Sequence, residues 1–246
     1  MQRTVRCATC GCTERQAAPC NLPTDERRSA VAGEIEGMTT EFWDKRARKY
    51  NDKIEKHDAV YTRTVEGTKS LLCASDVVLD LGCASGEFSL DVAPCVQRVH
   101  GIDTSTNMIA VATEKATARS AGNVAFVSTD LFDRSLDAHG YTRVLAFSVL
   151  HLVEDLPAVL WRINRLLPAG GLLISKTPCF GERSLPFRLF IGIAQRVKFV
   201  PPVLSLTVPE LEAAIAEADF DIAESKEWDP KKALHWIVAR KRHGAS

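Results

Sequence analysis

The sequence predicts an α/β fold with a seven-stranded, mostly parallel sheet, an antiparallel edge hairpin and helices on both faces. Between residues 77 and 177, short apolar runs alternate with helical patterns. Strands that alternate with helices form parallel sheets that are covered on both faces. Two more strand-like runs, 221–229 and 234–242, follow each other with no helical pattern between them. This arrangement is typical of an antiparallel hairpin, which we place at the edge of the sheet.

Five parallel strands are expected from runs of β-branched and apolar residues. The predicted strands cover residues 77–82, 98–103, 124–130, 142–148 and 171–177. The predicted helices cover residues 40–72, 86–93, 105–121, 156–167 and 207–220. Their ends are indicated by the capping residues Thr39 or Thr40, Ser105 or Thr106, and Thr207, and by the terminators Pro94 and Gly122.

The first 37 residues differ from the rest in pattern. We expect residues 1–37 to form a disordered, cysteine-containing extension and residues 38–246 to form one folded domain. Cysteines crowd the extension at Cys7, Cys10, Cys12 and Cys20. The first pair has the spacing that begins a zinc site, but the other two fit poorly, and we assign no metal. Translation that begins at Met38 is the other interpretation of this boundary.

Charge and hydropathy argue against several classes of partner. The 31 basic and 31 acidic residues cancel, so no global field attracts nucleic acid or an anionic membrane, and we expect no nucleic-acid partner. No apolar run reaches the roughly 18 residues of a membrane span, and the N-terminus lacks an apolar signal core. The cytoplasm is therefore the expected compartment.

The stretch VLDLGCASGEFSL, residues 78–90, has the strand, small-residue loop and helix of a nucleotide site. Its residues do not fit the dinucleotide fingerprint, because Ala84 and Glu87 stand where the second and third glycines are needed. A phosphate loop fails as well, since no Gly-Lys pair follows Gly82 at the required distance. What remains is Asp80 before a turn of small residues, and an acid at this place attracts an ammonium group rather than a pyrophosphate.

This loop resembles the first motif of the class I S-adenosylmethionine-dependent methyltransferases of the small-molecule type, which have a Rossmann-like fold. Asp80, Gly82 and Gly86 match the motif, and Ala84 departs from it at the middle glycine. The resemblance implies S-adenosyl-L-methionine as the cofactor. It extends over residues 40–240 and includes the fourth strand, the following helix and the turn before the fifth strand.

The resemblance also implies roles for residues at the ends of the following strands. Asp103, at the end of the second strand, would accept hydrogen bonds from both ribose hydroxyls. Asp130 would meet the adenine amino group, with the backbone N–H of Leu131 beside it. The remaining cofactor-binding candidates are Thr104 and Met108 after the second strand, Ser148 after the fourth, and Tyr50 in the N-terminal helix.

The reaction is predicted to be methyl transfer to a small, partly hydrophobic acceptor. A sulfonium already activates its methyl group, so the enzyme mainly aligns a nucleophile and excludes water. His151, just past the fourth strand, is the candidate general base, and a space-filling role is its alternative. Lys176, Thr177 and Cys179 are expected near the entrance for the acceptor. The apolar segment 185–205 either packs on the domain, caps an acceptor pocket or contacts a membrane through interspersed cations.

Two other functions stay open. Loss of acceptor residues would leave a non-catalytic protein that binds the cofactor or regulates a partner. A nucleic-acid methyltransferase acting on exocyclic amines is disfavoured, because residues 147–150 lack the prolines and aromatic stack that such enzymes place after the fourth strand. The sequence does not identify the acceptor atom or the oligomeric state.

Overall fold

Seven strands form one sheet in the computed structural model, which describes residues 40–47, 58–196 and 201–243. The strands are β1 (Val77–Leu81), β2 (Arg98–Asp103), β3 (Val124–Ser128), β4 (Arg143–Phe147), β5 (Leu172–Pro178), β6 (Phe220–Asp229) and β7 (Leu234–Lys241). Their order across the sheet is β3-β2-β1-β4-β5-β7-β6. All described residues belong to one compact unit, Met38–Ser246.

The first five strands run parallel, and β7 and β6 run antiparallel at one edge. β1 pairs with both β2 and β4, which places Asp80 between Gly101 and Leu145 in register. β7 pairs antiparallel with β5 on one side and with β6 on the other. The predicted mostly parallel sheet and its edge hairpin are therefore confirmed.

Helices cover both faces of this sheet. They are α1 (Ala59–Lys69), α2 (Glu87–Val92), α3 (Thr106–Ala118), α4 (Leu156–Leu166), α5 (Leu185–Arg196) and α6 (Val208–Glu217). Leu160 of α4 and Ile215 of α6 lie in the buried cluster on one face, whereas Val92 of α2 lies in the cluster on the other. These apolar layers account for the buried strands that the sequence pattern predicts.

Local capping residues set the helix ends. Ser105 accepts a hydrogen bond from Met108 N at the start of α3, as predicted. Thr207 and Glu210 form a reciprocal capping box at the start of α6. The single predicted helix over residues 40–72 is wrong, because Asp58 has extended backbone and caps a new helix at Ala59. Residues 40–44 are helical as well, before a turn at residues 45–46.

The segment 185–205 contains the helix α5. Its Ala194 is buried, whereas Leu185, Leu189 and Ile193 are exposed, so the segment is not simply buried against the domain. Among the described residues, no helix is both long enough and apolar enough to cross a bilayer.

Candidate cofactor and acceptor site

The carboxyl ends of the parallel strands bring most of the predicted site residues to one edge of the sheet. Asp80 lies near the end of β1, Asp103 ends β2, and Ser148 follows β4. From β1 the chain continues to β2 and β3 on one side, whereas β4 and β5 lie on the other side. In open α/β sheets a crevice forms at such a reversal of strand order. The loops after β1 and β4 meet there, because a Cβ on Gly82 would lie 2.8 Å from Cγ2 of Val149.

The loop after β1 turns through three residues with left-handed backbone. Gly82, Ala84 and Gly86 have φ values of 67°, 47° and 77°. A Cβ on Gly86 would lie 2.6 Å from Cζ of Phe126, so this position requires glycine for space as well as for its backbone. Ala84 is the member of this trio that holds a side chain in the unfavourable conformation.

Asp80 is a buried carboxyl group near the end of β1. Its Oδ2 accepts a hydrogen bond from Ser89 Oγ at 2.5 Å, and it is 2% exposed. Burial, opposed by the Ser89 hydrogen bond, raises the pKa of Asp80 to about 7. Among the described residues, no basic side chain forms an ion pair with Asp80. A cation that reached this carboxylate would therefore be strongly favoured.

Asp103, the last residue of β2, is hydrogen-bonded to the loop that follows β1. Its Oδ2 accepts a hydrogen bond from Ala84 N at 3.0 Å, and its Oδ1 accepts one from Ser105 N at 2.9 Å. Burial raises the pKa of this carboxyl group, although the two backbone hydrogen bonds oppose the change. Each carboxylate oxygen retains capacity for a second hydrogen bond, so Asp103 can position the loop and still accept from hydroxyl groups of a ligand.

The N-terminal segment, residues 40–47, lies across the start of α3. Asp44 Oδ1 accepts hydrogen bonds from Ser105 Oγ at 2.5 Å and from Asn107 N at 3.2 Å. An acidic side chain at a helix N-terminus is favoured by the helix dipole. Thr104, an exposed cofactor candidate, is hydrogen-bonded to Thr40 through the two hydroxyl oxygens at 3.3 Å. The segment thus borders the end of β2, whereas the candidate Tyr50 lies outside the described residues.

The predicted adenine-binding residues lie in different environments. Asp130 is exposed, and its Oδ1 accepts a hydrogen bond from Phe132 N at 2.6 Å. Leu131 is buried, and its carbonyl oxygen accepts a hydrogen bond from Arg162 Nε at 3.0 Å. Met108 is 1% exposed, so its side chain offers almost no surface to a ligand in this conformation. The assigned contact of Met108 with adenine stays a prediction.

On the other side of the crevice, Ser148 and His151 follow β4. Ser148 has φ 56° and donates a backbone hydrogen bond to Lys176 O at 2.7 Å. His151 is buried, and its Nδ1 has no hydrogen-bond partner among the described residues. Burial lowers the pKa of His151 to about 4, so its imidazole is neutral at pH 7. Its ring meets the edge of Phe180, with ring centroids 5.7 Å apart.

Part of the chain is similar to known methyltransferases. Residues 78–171 match the model of the methyltransferase domain family. Aklanonic acid methyltransferase DauC of Streptomyces sp. (strain C5) is 32% identical over 114 residues, which are 45% of this chain and 51% of that protein. Demethylmenaquinone methyltransferase of Geobacillus kaustophilus (strain HTA426) is 28% identical over 119 residues, 46% of this chain and 51% of that protein. The chain thus spans about half the length of these curated relatives.

A solved structure extends the likeness in fold to most of the chain. Magnesium protoporphyrin IX methyltransferase (ChlM) from Synechocystis PCC 6803 has a TM-score of 0.65 at 17% identity, covering 84% of this chain and 99% of that one. That structure contains bound S-adenosylhomocysteine, the demethylated form of the cofactor.

The chain thus has the fold of the class I methyltransferases, and its residues 78–171 are similar to a methyltransferase domain. Two buried polar groups of this chain fit S-adenosylmethionine. Asp80, near the end of β1, provides a carboxyl group that forms no ion pair with a described residue, and the hydroxyl of Ser85 in the following loop is buried with no partner among the described residues. The cofactor contains both an ammonium and hydroxyl groups, which are suitable partners for these side chains.

The residues expected near the acceptor entrance are placed differently. Lys176 and Thr177 lie within β5 rather than after it, and both are buried. Lys176 Nζ donates to Thr64 Oγ1 at 3.2 Å and lies 4.8 Å from the ring centroid of Phe88. Cys179 is 1% exposed, and burial raises the pKa of its thiol to about 11, so it is poorly suited to act as a nucleophile. Lys176 and Cys179 therefore lie in the core and not at an open entrance.

Several residues of the site could not be assigned from the sequence. Ser89 contacts Asp80, and Asp44 contacts the start of α3, only in the folded chain. Asp44 lies 61 residues before its partner Ser105. Val149 is recognised as part of the site only by its close approach to Gly82 in the structure. Among the described residues, no cluster of His, Cys, Asp or Glu is arranged to hold a metal ion. The cysteine-rich residues 1–37 lie outside the described residues.

Proposed function

We propose that the protein transfers a methyl group from S-adenosyl-L-methionine to a small, partly hydrophobic acceptor. The observation that carries this proposal is the juxtaposition of Asp80 and Asp103 at the loop after β1. Asp103 fixes that loop through Ala84 N at 3.0 Å, and Asp80 is buried beside it and forms no ion pair within the described part of the chain. The match of residues 78–171 to a methyltransferase domain family and the two curated relatives support methyl transfer as the chemistry.

The chain's own residues suggest how the cofactor would be held. Asp80 would pair with the ammonium of the methionine part, which compensates its buried charge. Asp103 would accept hydrogen bonds from the ribose hydroxyls with its remaining lone pairs. Asp130 and the backbone N–H of Leu131 would bind the adenine edge, with Thr104 and Ser148 at the borders of the crevice.

The role of the protein in the reaction is mainly alignment and proton acceptance. When bound, S-adenosylmethionine supplies a methyl group that its sulfonium charge activates. The walls of the crevice would hold the acceptor in line with that methyl group and exclude water. His151 would accept the proton of an acceptor hydroxyl, thiol or amine, because its neutral imidazole has a nitrogen without a partner among the described residues.

Calorimetric titration tests cofactor binding. We expect S-adenosylmethionine to bind the full chain and Asp103→Ala to weaken binding by at least about tenfold, because both the loop anchor and the hydroxyl acceptor are lost. Asp221→Asn is the matched control, since this acid is exposed on β6 and pairs with Arg242. Equal affinity of the wild type and Asp103→Ala would overturn the assignment of Asp103.

A screen with methyl-labelled cofactor tests catalysis. Extracts of the source cell are incubated with the protein, and label is followed into small molecules, protein and nucleic acid separately. Label in a small molecule supports the proposal, whereas label in nucleic acid overturns it. Cofactor binding without any labelled product would instead favour the non-catalytic alternative.

A further inference from the structure

The helix α5 presents an apolar stripe to solvent. Leu185, Leu189 and Ile193 are 65%, 60% and 64% exposed. They are four residues apart, and at about 100° per residue they lie within roughly 80° of the helix circumference. Ala194, on the opposite side, is buried. The helix is therefore apolar on its buried side and also along this exposed stripe, as in surfaces that bind a partner or a membrane.

The chain around α5 has a strongly biased charge. Between Glu182 and Glu210 there is no acidic residue, although the whole chain has 31. The same stretch contains four cationic residues, Arg183, Arg188, Arg196 and Lys198. In a chain whose total charge is zero, this stretch is a local positive segment. It is complementary to an anionic surface.

We propose that α5 docks on an anionic lipid bilayer. Leu185, Leu189 and Ile193 insert among the acyl chains, and the positive segment contributes attraction to the phosphate groups. With 12 residues and a rise of about 1.5 Å per residue, α5 is too short to span a bilayer and has the length of a helix that lies in the interface. A second copy of the chain is a poorer occupant, because a two-fold interface would place two positive segments against each other.

The other side of α5 leads toward the proposed acceptor site. Phe187 of α5 lies 6.0 Å from Phe180, and Phe180 lies 5.7 Å from His151, measured between ring centroids. These aromatic side chains form a continuous apolar path from the docking helix to the candidate base. Resting on the proposed function, this path indicates that the methyl acceptor is an apolar molecule that partitions into the bilayer.

Vesicle co-sedimentation of the full chain, without cofactor, tests the docking. We use phosphatidylcholine vesicles with and without about 30 mol% phosphatidylglycerol, at low and at high salt. Binding to the anionic vesicles is expected to exceed binding to pure phosphatidylcholine by at least about tenfold and to weaken with salt. Equal binding to both, or none to either, would overturn the proposal.

Variants distinguish α5 from the rest of the surface. The double variant Leu189→Glu, Ile193→Glu is expected to lose at least about tenfold in vesicle partitioning, because two charges enter the apolar stripe. Leu189→Ser, Ile193→Ser is a milder second test that does not add charge. Trp161→Glu is the matched control, since Trp161 is 55% exposed on α4, and it should bind vesicles like the wild type. Unchanged partitioning of the α5 variants would contradict the docking.

Two further measurements separate this inference from its alternatives. A concentration-dependent dimer in light scattering that the α5 variants abolish would assign the stripe to a second copy and overturn the bilayer. Calorimetric titration with S-adenosylmethionine is run on the same proteins. Loss of vesicle binding with retained cofactor affinity supports the docking, whereas vesicle binding without any cofactor affinity would overturn the proposed function alone.

Discussion

The carboxylate of Asp103 accepts a hydrogen bond from the backbone N–H of Ala84, with 3.0 Å between Oδ2 and N. This contact connects the end of β2 to the loop after β1 and holds Ala84 with a φ of 47°. The side chain of Asp103 therefore holds the loop in its shape. The same side chain is a candidate for binding the ligand. Substitutions at either residue are expected to change both stability and cofactor affinity.

Ala84→Gly is expected to stabilise the protein by up to about 1 kcal/mol, because glycine adopts left-handed backbone without the steric cost of a Cβ. Thermal unfolding measures the change. Ser120→Gly is the matched control, since Ser120 has a φ of 51° outside the site. Both variants should gain stability, but only Ala84→Gly should change cofactor affinity in calorimetry. A loss of stability in Ala84→Gly would contradict the strain assigned to Ala84.

Cofactor affinity is expected to rise with pH through neutrality. Burial raises the pKa of Asp80 to about 7, and only the ionised carboxylate can pair with an ammonium. Affinity should therefore fall as the pH decreases from about 7 to 5, by up to tenfold per pH unit. Asp80→Asn should bind weakly with little dependence on pH in this range. A wild-type dissociation constant that is constant from pH 5 to about 8 would exclude Asp80 as the ammonium partner.

The raised pKa of Asp80 also affects the stability of the ligand-free protein. The pKa of folded Asp80 lies above the ordinary value of 3.8, so the folded state binds more protons than the unfolded state between pH 3.8 and about 7. The contribution of Asp80 to stability therefore decreases as the pH rises through this window. Chemical denaturation of the wild type and Asp80→Asn at several pH values isolates that contribution.

His151→Gln is expected to lower kcat by about a hundredfold or more and to leave the dissociation constant of the cofactor unchanged, since general-base catalysis contributes about that much. The measurement requires the acceptor found with labelled cofactor. His243→Gln is the control, because His243 is exposed near the C-terminus. An unchanged kcat in His151→Gln would assign His151 a space-filling role.

Because His151 is buried, we also expect the stability of the protein to decrease in acid. Burial lowers its pKa from 6.5 to about 4, so the unfolded state binds more protons between these values. The contribution of His151 to stability is full above pH 6.5 and is lost as the pH falls toward 4. The difference between wild type and His151→Gln in denaturation midpoints should therefore shrink across this range.

Lys176→Met is expected to stabilise the protein at pH 7 by about 1–3 kcal/mol, because it removes a buried ammonium that has no carboxylate partner among the described residues. Burial lowers the pKa of Lys176 from 10.5 to about 8. The unfolded state therefore binds more protons between these values, and wild-type stability should rise with pH there.

Denaturation of both proteins from pH 7 to about 10 measures this effect. The advantage of Lys176→Met should be greatest at or below pH 8 and shrink as the pH rises toward 10.5. Lys226→Met is the matched control, since the side chain of Lys226 is 47% exposed. Loss of stability in Lys176→Met at pH 7 would show that the ammonium has a favourable structural role.

Most of the fold could be predicted from the sequence because its signals are local. Alternating strands and helices, caps such as Ser105 and Thr207, and the hairpin formed by β6 and β7 are all confirmed. The prediction of one helix over residues 40–72 was wrong, because the chain turns at residues 45–46 and has extended backbone at Asp58. The side chain of Asp58 caps Ala59–Lys69, which begins a separate helix.

The candidate site was only partly predictable. The strand ends of a parallel sheet bring Asp80, Asp103 and Ser148 together by topology, which sequence reasoning can anticipate. Other features depend on side-chain packing between distant segments. These are the burial of Asp80, the contact between Asp103 and Ala84, and the hydrogen bond of Asp44 at the start of α3. The positions of Lys176 and Cys179 inside the core were missed for the same reason.

The class of fold, the order of its elements and the acids that follow the strands could be predicted from local sequence patterns, because hydrophobic period and capping act over a few residues. Which of these groups are buried, paired or exposed is visible only in the folded chain, as the buried Asp80 and the exposed apolar stripe of α5 illustrate. Burial and pairing arise from contacts between segments far apart in the chain, and these contacts determine the pKa values and surfaces on which the proposed chemistry depends.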